Sequence, residues 1–280
     1  RSHGVEATIS SQNIRTKDFD WSTDLTYAYT KTTIKDVLSQ ANVINLVYNS
    51  GANIRKGYPH RSLFSIPFVG LNDEGIPTVI NEKGEVTTTD INFQEYQSLG
   101  FLKYEGPTEP TMNGGLNNTL RYKNWRLNVF VTYSFGNKIR LDQVFSSSYS
   151  DMSAMPKEFK NRWVMPGDEK VTTIPAIASV RQYYNDTQLS YAYNAYNYST
   201  ARVADGGFIR LKDVSLTYDV PRTLLSKVGL STASIKLDAT NLCLLYADDK
   251  LNGQDPEFVN SGGVATPLSK QFTLTVRLGL

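Results

Sequence analysis

Apolar and polar side chains alternate with a period of two residues in several stretches of the chain. The first stretch places Val5, Ala7 and Ile9 on one side of an extended backbone and polar side chains on the other. Successive side chains of a strand point to opposite faces, so this pattern predicts a β-strand with one apolar face. The same pattern predicts six more strands, over residues 19–29, 116–122, 125–135, 208–218, 235–239 and 272–280. We therefore predict an all-β fold of seven antiparallel strands, paired in the order of the chain.

The fifth predicted strand is irregular. Its apolar residues change parity between Leu211 and Val214, and a β-bulge near Lys212 and Asp213 would reconcile the two halves. The connection that follows this strand is predicted to hold a short helix around residues 224–228.

The connections between the predicted strands alternate in length. They are short after the first, third and fifth strands and long after the second, fourth and sixth. Transmembrane β-barrels have short turns on the periplasmic side and long loops outside, whereas a soluble sandwich has no reason to follow this rule. The alternation predicts antiparallel strands of a transmembrane β-barrel with long extracellular loops.

The order of side chains along the apolar face of two strands supports a membrane wall. Aromatic rings stand at both ends with smaller side chains between them, over the ~9–11 residues with which a tilted strand crosses a bilayer. The two series are Phe19, Trp21, Thr23, Leu25, Tyr27 and Tyr29, and Trp125, Leu127, Val129, Val131, Tyr133 and Phe135. We expect Leu127, Val129, Val131, Leu274 and Val276 on the outer, apolar face.

A soluble β-sandwich is the alternative interpretation, because its core-facing strands also alternate aromatic and branched residues with polar ones. Two features favour the barrel. The polar faces are rich in Asn, Ser, Thr and mixed charge, as suits a lumen, and the long loops exceed the usual sandwich connections.

Composition limits the classes of partner and of membrane segment. The formal charge is +2, with 29 Lys+Arg against 27 Asp+Glu scattered singly, so the sequence gives no support for nucleic acid binding. The mean hydropathy is −0.35 and no run of ~18 apolar residues is present, so helical membrane spans are not predicted. Residues 1–4 lead directly into an alternating segment, and we expect that a leader was removed or that the chain is a fragment.

The sequence offers little material for catalysis or metal binding. His3 and His60 are far apart, so neither a histidine metal site nor a Ser-His-Asp arrangement is supported. Cys243 lies in an apolar run, where a thiol is more often a packing residue than a nucleophile. The acidic residues at 248–257 have no spacing that would fix two carboxylates for glycoside hydrolysis. We expect no enzyme activity, no catalytic residue, no metal site and no cofactor.

A tyrosine-rich stretch in the second long connection is the main candidate for binding. Tyrosines among Asn and Ser suit stacking on sugars or contact with a protein partner. Packing of an outer rim on neighbouring loops is an equally good interpretation. The candidate contact residues are Trp163, Tyr183, Tyr184, Tyr191, Tyr193, Tyr196 and Tyr198.

An ordered set of short motifs covers nearly the whole chain. They are YEGPTEP at 104–110, GGLNNT at 114–119, RYKN at 121–124, FVTYSFG at 130–136, RWVMPGD at 162–168, DGGFIRLKDV at 205–214, NL at 241–242 and FTL at 272–274. In this order the chain resembles the C-terminal β-barrel region of SusC/RagA-type TonB-dependent outer-membrane transporters.

The resemblance implies a place in the Gram-negative cell outer membrane and a role in nutrient import. A SusD-like lipoprotein and the barrel loops would capture a glycan or peptide, and the TonB complex would act through a plug outside this chain. Residues 1–280 would then be the C-terminal part of the receptor barrel, in contact with outer-membrane lipid. A barrel of the family's size needs about three times as many strands as this chain supplies. The resemblance therefore implies an antiparallel transmembrane β-barrel portion, about seven strands of a larger barrel, with long extracellular loops.

Two rival classes predict different structures. A soluble cell-surface β protein that binds carbohydrate would cover the apolar strand faces with a second sheet. A β-rich glycoside hydrolase would bring two acidic side chains together in a cleft.

Overall fold

The computed structural model describes residues 1–38, 40–48, 54–150, 152, 154–226, 229–259 and 268–279. Its strands are β1 (Ser2–Arg15), β2 (Phe19–Thr32), β3 (Ser62–Ser65), β4 (Phe68–Leu71), β5 (Pro77–Ile80), β6 (Val86–Thr87), β7 (Lys103–Pro107), β8 (Met112–Tyr122), β9 (Trp125–Phe135), β10 (Lys138–Arg140), β11 (Val203–Asp205), β12 (Phe208–Asp219), β13 (Thr232–Tyr246) and β14 (Gln271–Gly279). The α-helices are α1 (Val43–Val47), α2 (Val180–Asn185), α3 (Leu189–Asn197) and α4 (Arg222–Leu225). Short 3-10 turns lie at Leu99–Phe101, Lys157–Asn161, Asp168–Lys170, Thr200–Arg202 and Asp249–Leu251.

Seven strands form one large antiparallel sheet in the order β1-β2-β8-β9-β12-β13-β14. These are the seven strands predicted from the alternating pattern, paired as predicted. The short connections (16–18, 123–124 and 220–231) leave one end of the sheet, and the long ones (33–111, 136–207 and 247–270) leave the other. The predicted alternation of connections is therefore confirmed.

Local sequence fixes the details of the sheet. Thr16 closes the first turn, with its hydroxyl accepting from Phe19 N at 3.0 Å. Lys123 adopts a positive φ of 50° in the two-residue turn between β8 and β9. The register of β12 shifts between Leu211 and Asp213 against both neighbours, which confirms the predicted bulge.

Two predicted features extend past the described residues. The helix predicted at 224–228 is α4, which ends at Leu225, and residues 227 and 228 lie outside the described part. The last predicted strand is β14, which ends at Gly279, and Leu280 lies outside the described part.

One face of the large sheet is apolar and has aromatic rows at both ends. Phe19, Tyr122, Trp125 and Tyr218 are register neighbours at the end with the short turns. Tyr27, Tyr29, Tyr133, Phe135 and Tyr246 lie at the end with the long connections. Between these rows a single line of leucines crosses five strands: Leu120, Leu127, Leu216, Leu237 and Leu274.

The apolar face is open to the surroundings. Leu274 is 64% exposed and Leu237 is 55% exposed. None of the three buried hydrophobic clusters in the described residues contains a side chain of this face. A sandwich would bury these side chains under a second sheet, so the sandwich interpretation is wrong for this fold.

The buried core lies instead in the long connections. We call their described residues, within 33–111, 136–207 and 247–270, the cap. One cluster joins α1, β3 and β5 to Ala195 of α3, and a second joins Ile76 to α3 and Phe145. A third joins β10 and β11 to Leu251 and Val259. The three long connections therefore pack into one body at one end of the sheet.

Both edges of the large sheet are unpaired on one side. Within the described residues, β1 pairs only with β2, and β14 pairs only with β13. β1 is 14 residues long and exposed throughout. Long bare edges attract further strands, so this geometry is that of a section of a wider sheet. No helix in the described residues is long and apolar enough to cross a membrane.

Candidate functional site

The tyrosine-rich stretch forms two helices of the cap. α2 begins with a capping box in which Ser179 Oγ accepts from Gln182 N at 3.2 Å and Gln182 Oε1 accepts from Ser179 N at 2.8 Å. α3 follows three residues later and carries apolar side chains at 189, 192, 193 and 196, the spacing of one helical face. The two helices place the candidate tyrosines in different environments.

α3 buries two of the candidate residues. Tyr193 and Tyr196 are each 1% exposed and lie in the second core cluster. The Tyr193 hydroxyl donates to Ala176 O at 2.7 Å, and the Tyr196 ring meets Phe145 edge to face with centroids 5.1 Å apart. Burial raises the pKa of both phenols well above the ordinary value. Of the two interpretations of the tyrosine-rich stretch, packing on neighbouring loops describes Tyr193 and Tyr196, whose rings fill the core of the cap.

Tyr191 and Tyr198 lie at the margin of that core. The Tyr191 ring is 6.1 Å from Phe93, and Tyr198 meets Tyr48 edge to face at 6.1 Å. The Tyr198 hydroxyl donates to Gln143 Oε1 at 3.1 Å. Both residues keep part of their surface accessible, but their rings already have aromatic neighbours.

α2 turns its apolar side chains outward. Tyr184 is 78% exposed and Val180 is 72% exposed, with Tyr183 and Ile177 also exposed. The rings of Tyr183 and Tyr184 lie 6.2 Å apart. We call Val180, Tyr183 and Tyr184, together with Ile177 just before the helix, the outward face of α2. Exposed apolar groups of this kind mark contact surfaces more often than scattered single residues do.

Trp163 lies in a tightly bonded turn. Asp168 Oδ2 accepts from Val164 N at 2.9 Å and from Met165 N at 3.1 Å. The Trp163 indole N–H donates to Glu169 Oε2 at 3.1 Å. Hydrogen bonds from its own backbone N–H and from this indole lower the pKa of Glu169. The motif that carried the resemblance here thus fixes the Trp163 ring in place.

A cleft of about 690 Å³ opens between the Trp163 turn, the β4–β5 turn and α2. Trp163 forms one wall, and the polar face of α2 forms another through Arg181, Gln182 and Asn185. Asp73 and Glu74 from the β4–β5 turn complete it. The cleft combines an aromatic ring with amides and charges of both signs, which suits a polar ligand held by hydrogen bonds.

The structure therefore divides the predicted contact residues into groups. Trp163 lines the cleft, and Tyr183 and Tyr184 lie on the same helix as its lining but face away from it. Sequence reasoning missed Asp73, Glu74 and Arg181. Asp73 and Glu74 lie in a turn and Arg181 lies in α2, and the residues that meet across the cleft are about 90–110 positions apart in the chain, so the sequence alone does not bring them together.

The acidic residues near the end of the chain have structural partners. Asp248 accepts backbone N–H groups from Asp205 at 2.7 Å and Lys250 at 2.9 Å. Asp255 accepts from Arg210 Nη2 at 2.6 and 2.8 Å, and both side chains are buried. No group of three or more His, Cys, Asp or Glu side chains in the described residues is placed to hold a metal.

The chain is similar to TonB-dependent receptors over nearly its whole length. It is 26% identical to TonB-dependent receptor P3 of Formosa agariphila over 267 residues, 91% of this chain and 25% of that protein. It is 27% identical to TonB-dependent receptor P26 of the same organism over 287 residues, 92% of this chain and 26% of that protein. The chain thus spans about a quarter of the length of these relatives. No family model matches it.

The same fold occurs in solved transporter structures. The match to the structure of the RagAB peptide transporter covers 99% of this chain and 29% of the transporter chain, with a TM-score of 0.71 and 20% sequence identity. The RagAB peptide importer in the open-open state matches 100% of this chain and 28% of that one, with a TM-score of 0.72 and 20% identity. The chain has the fold of a β-barrel section of such a transporter, which confirms the resemblance found in the sequence.

Proposed function

We propose that this chain forms part of the wall and outer cap of a TonB-dependent importer in the outer membrane of a Gram-negative cell. In this proposal residues 1–280 are the C-terminal part of the receptor barrel, and they bind and guide a nutrient without catalysing its conversion. The observation that carries the proposal is the apolar sheet face with an aromatic row at each end.

The spacing of the two rows supports a membrane position. Trp125 lies in one row, and Tyr133 and Phe135 lie at the other end of the same strand. Eight to ten residues cover about 26–33 Å along a strand, or roughly 18–27 Å of membrane when the strand is tilted by ~35–45°. This matches the ~25 Å apolar band of outer-membrane barrels, whose aromatic girdles lie at the headgroups.

The cap supplies two surfaces for partners. We assign the cleft beside Trp163 to a glycan or peptide nutrient, because its lining can both stack and hydrogen-bond. We assign the outward face of α2 to a SusD-like lipoprotein, since two adjacent exposed tyrosines favour a protein interface. Coupling to the TonB complex would pass through residues outside this chain.

Sidedness tests the proposal directly. In the full-length receptor with Cys243→Ser, Asn194→Cys should react with an impermeant maleimide on intact cells, because Asn194 is exposed on the cap. Lys17→Cys, in the opposite turn, should react only after the outer membrane is permeabilised. Labelling of position 17 but not 194 on intact cells would contradict the proposed topology.

A further inference from the structure

The end of the β1–β2 hairpin beside the cap carries basic side chains on its apolar face, beyond the aromatic row. Lys31 follows Tyr29 by two residues, so both side chains lie on that face, and His3 is the register partner of Lys31. Thr33 N donates to Arg1 O at 2.8 Å, which continues the ladder by one more pair and places Arg1 on the same face as His3. We call Arg1, His3 and Lys31 the cationic rim.

The cationic rim has no counter-ion among the described residues. All three side chains are exposed, and none of them forms a salt bridge with another residue in the part of the chain that the structure describes. Arg1 and Lys31 are diagonal neighbours across the two strands, roughly 7–8 Å apart, so their charges repel each other. At the opposite end of the same hairpin, Arg15 has Asp20 as its register partner.

Acidic side chains near the cationic rim point elsewhere or are already paired. Glu6 lies one residue from Val5 and therefore on the polar face of the sheet. Asp36, which follows β2, is bonded to Lys56 at 3.0 Å. The apolar face of the hairpin therefore ends in unneutralised positive charge.

The position of the cationic rim relative to the aromatic row indicates what it meets. Tyr27 and Tyr29 belong to the row that we place at the headgroups of the membrane. Two residues advance about 6.7 Å along a strand, or roughly 5 Å along the membrane normal at a tilt of ~35–45°. The basic groups thus stand just outside the rings, where lipids carry their phosphates. A further strand at the β1 edge would pair with its backbone and leave this face uncovered.

We propose that the cationic rim binds the phosphate groups of anionic lipids in the outer leaflet of the membrane. The Arg1 guanidinium matches two phosphate oxygens with parallel N–H donors, Lys31 adds a second positive charge, and the His3 imidazole supplies a further N–H donor. Basic side chains at a membrane surface attract anionic lipids in the same way. The inference rests on the membrane position proposed above, and it gives the wall a lipid partner that is separate from the nutrient.

The test uses the purified full-length receptor in detergent and three probes: a lipid A with two phosphates, a lipid A with one phosphate, and inorganic phosphate. The wild-type receptor should prefer the lipid with two phosphates. Arg1→Gln/Lys31→Gln should weaken binding of that lipid about 25-fold and Lys31→Gln about fivefold, on the basis of about fivefold for each charge removed. Lys17→Gln removes one charge from the opposite turn of the same hairpin and is the matched control, with unchanged affinity.

Heat-dependent migration on gels checks that each variant forms a folded barrel. Equal affinity of the wild type and Arg1→Gln/Lys31→Gln for the lipid with two phosphates would overturn the proposed lipid site. Binding of inorganic phosphate as tightly as that lipid would also overturn it, because the site would then recognise a free anion. The import proposal would survive either result, since it fails separately on the labelling of positions 17 and 194.

Discussion

Gly75 lies where the β4–β5 turn meets the Trp163 ring. Its φ is +74°, and an added Cβ would lie 2.5 Å from Trp163 Cδ2 and 2.7 Å from Ala176 Cβ. Gly84 has a similar φ of +81° but has nothing within 4 Å of the same position. The two glycines therefore share a backbone conformation and differ only in their surroundings.

We expect Gly75→Ala to destabilise the cap more than Gly84→Ala does. Strain from a positive φ costs about 1 kcal/mol in both variants, and overpacking adds about 1–3 kcal/mol at Gly75 alone. Hydrogen exchange of cap amides in the full-length receptor measures the difference. Equal losses in the two variants would mean that Trp163 moves aside freely.

Tyr193 and Tyr196 make the cap sensitive to alkali. Tyrosine in an unfolded chain loses its proton near pH 10, whereas burial raises the pKa of these two phenols. Above about pH 10 the unfolded state binds fewer protons than the folded cap, so stability falls as pH rises, and it is unchanged below that pH.

The alkaline loss should be smaller in Tyr193→Phe/Tyr196→Phe, which has no proton to lose at these positions. Its stability at neutral pH should be lower by about 1 kcal/mol, because Ala176 O loses the Tyr193 hydroxyl. Proteolysis of the cap between pH 8 and pH 11 provides the measurement. Parallel pH profiles for the two proteins would argue against this origin.

At the scale of single elements, α2 has two faces with different neighbours. Tyr183→Ala/Tyr184→Ala should weaken lipoprotein binding several-fold to about a hundredfold, since each exposed ring at an interface contributes about 0.5–1.5 kcal/mol. Asn185→Ala on the cleft face is the matched control. Binding of the purified lipoprotein to the immobilised receptor measures both, and unchanged affinity of the tyrosine variant would leave the outward face without its assigned partner.

Strand β9 places positions of the apolar face and of the polar face of the large sheet at neighbouring residues. Val129 lies midway between Trp125 and Tyr133 on the apolar face, and Asn128 points to the opposite face. Val129→Arg should destabilise the barrel by about 2–4 kcal/mol, whereas Asn128→Arg should be tolerated. Urea unfolding in lipid vesicles measures the effect, and similar stabilities would show that the apolar face does not meet lipid.

The strands could be predicted from the sequence because their signal is local. Alternation along each strand marks its faces, and turn residues mark where each strand ends. The burial of α3 also had a local signal, since Leu189, Ala192, Tyr193 and Tyr196 follow the spacing of a helical face. The composition of this stretch does not show its helical period, and composition alone therefore placed buried tyrosines among the candidate ligand contacts.

At the scale of the whole molecule, the cap could not be predicted because its contacts join distant segments. Arg140 donates to Ser199 O and to Phe64 O, both at 2.7 Å, across 59 and 76 residues of sequence. Both acceptors are backbone carbonyls, which every residue has, so the sequence does not indicate which residues accept these hydrogen bonds. The Trp163 cleft also depends on contacts between distant segments, so its acidic lining residues could be identified only from the structure.

Placing the buried core in the connections rather than in the sheet has a consequence for the order of folding. Bringing Arg140 to Phe64 in an unfolded chain requires closing a long loop, which costs entropy that grows with loop length. Once β8 pairs with β2 and β9 pairs with β12, the ends of the first two long connections are held on adjacent strands about 5 Å apart. The wall then acts as a template that has already closed those loops, and the cap needs only local rearrangement to collapse. We therefore expect strand pairing to precede the burial of Tyr193 and Tyr196, and the fluorescence of these rings to report the last step of assembly.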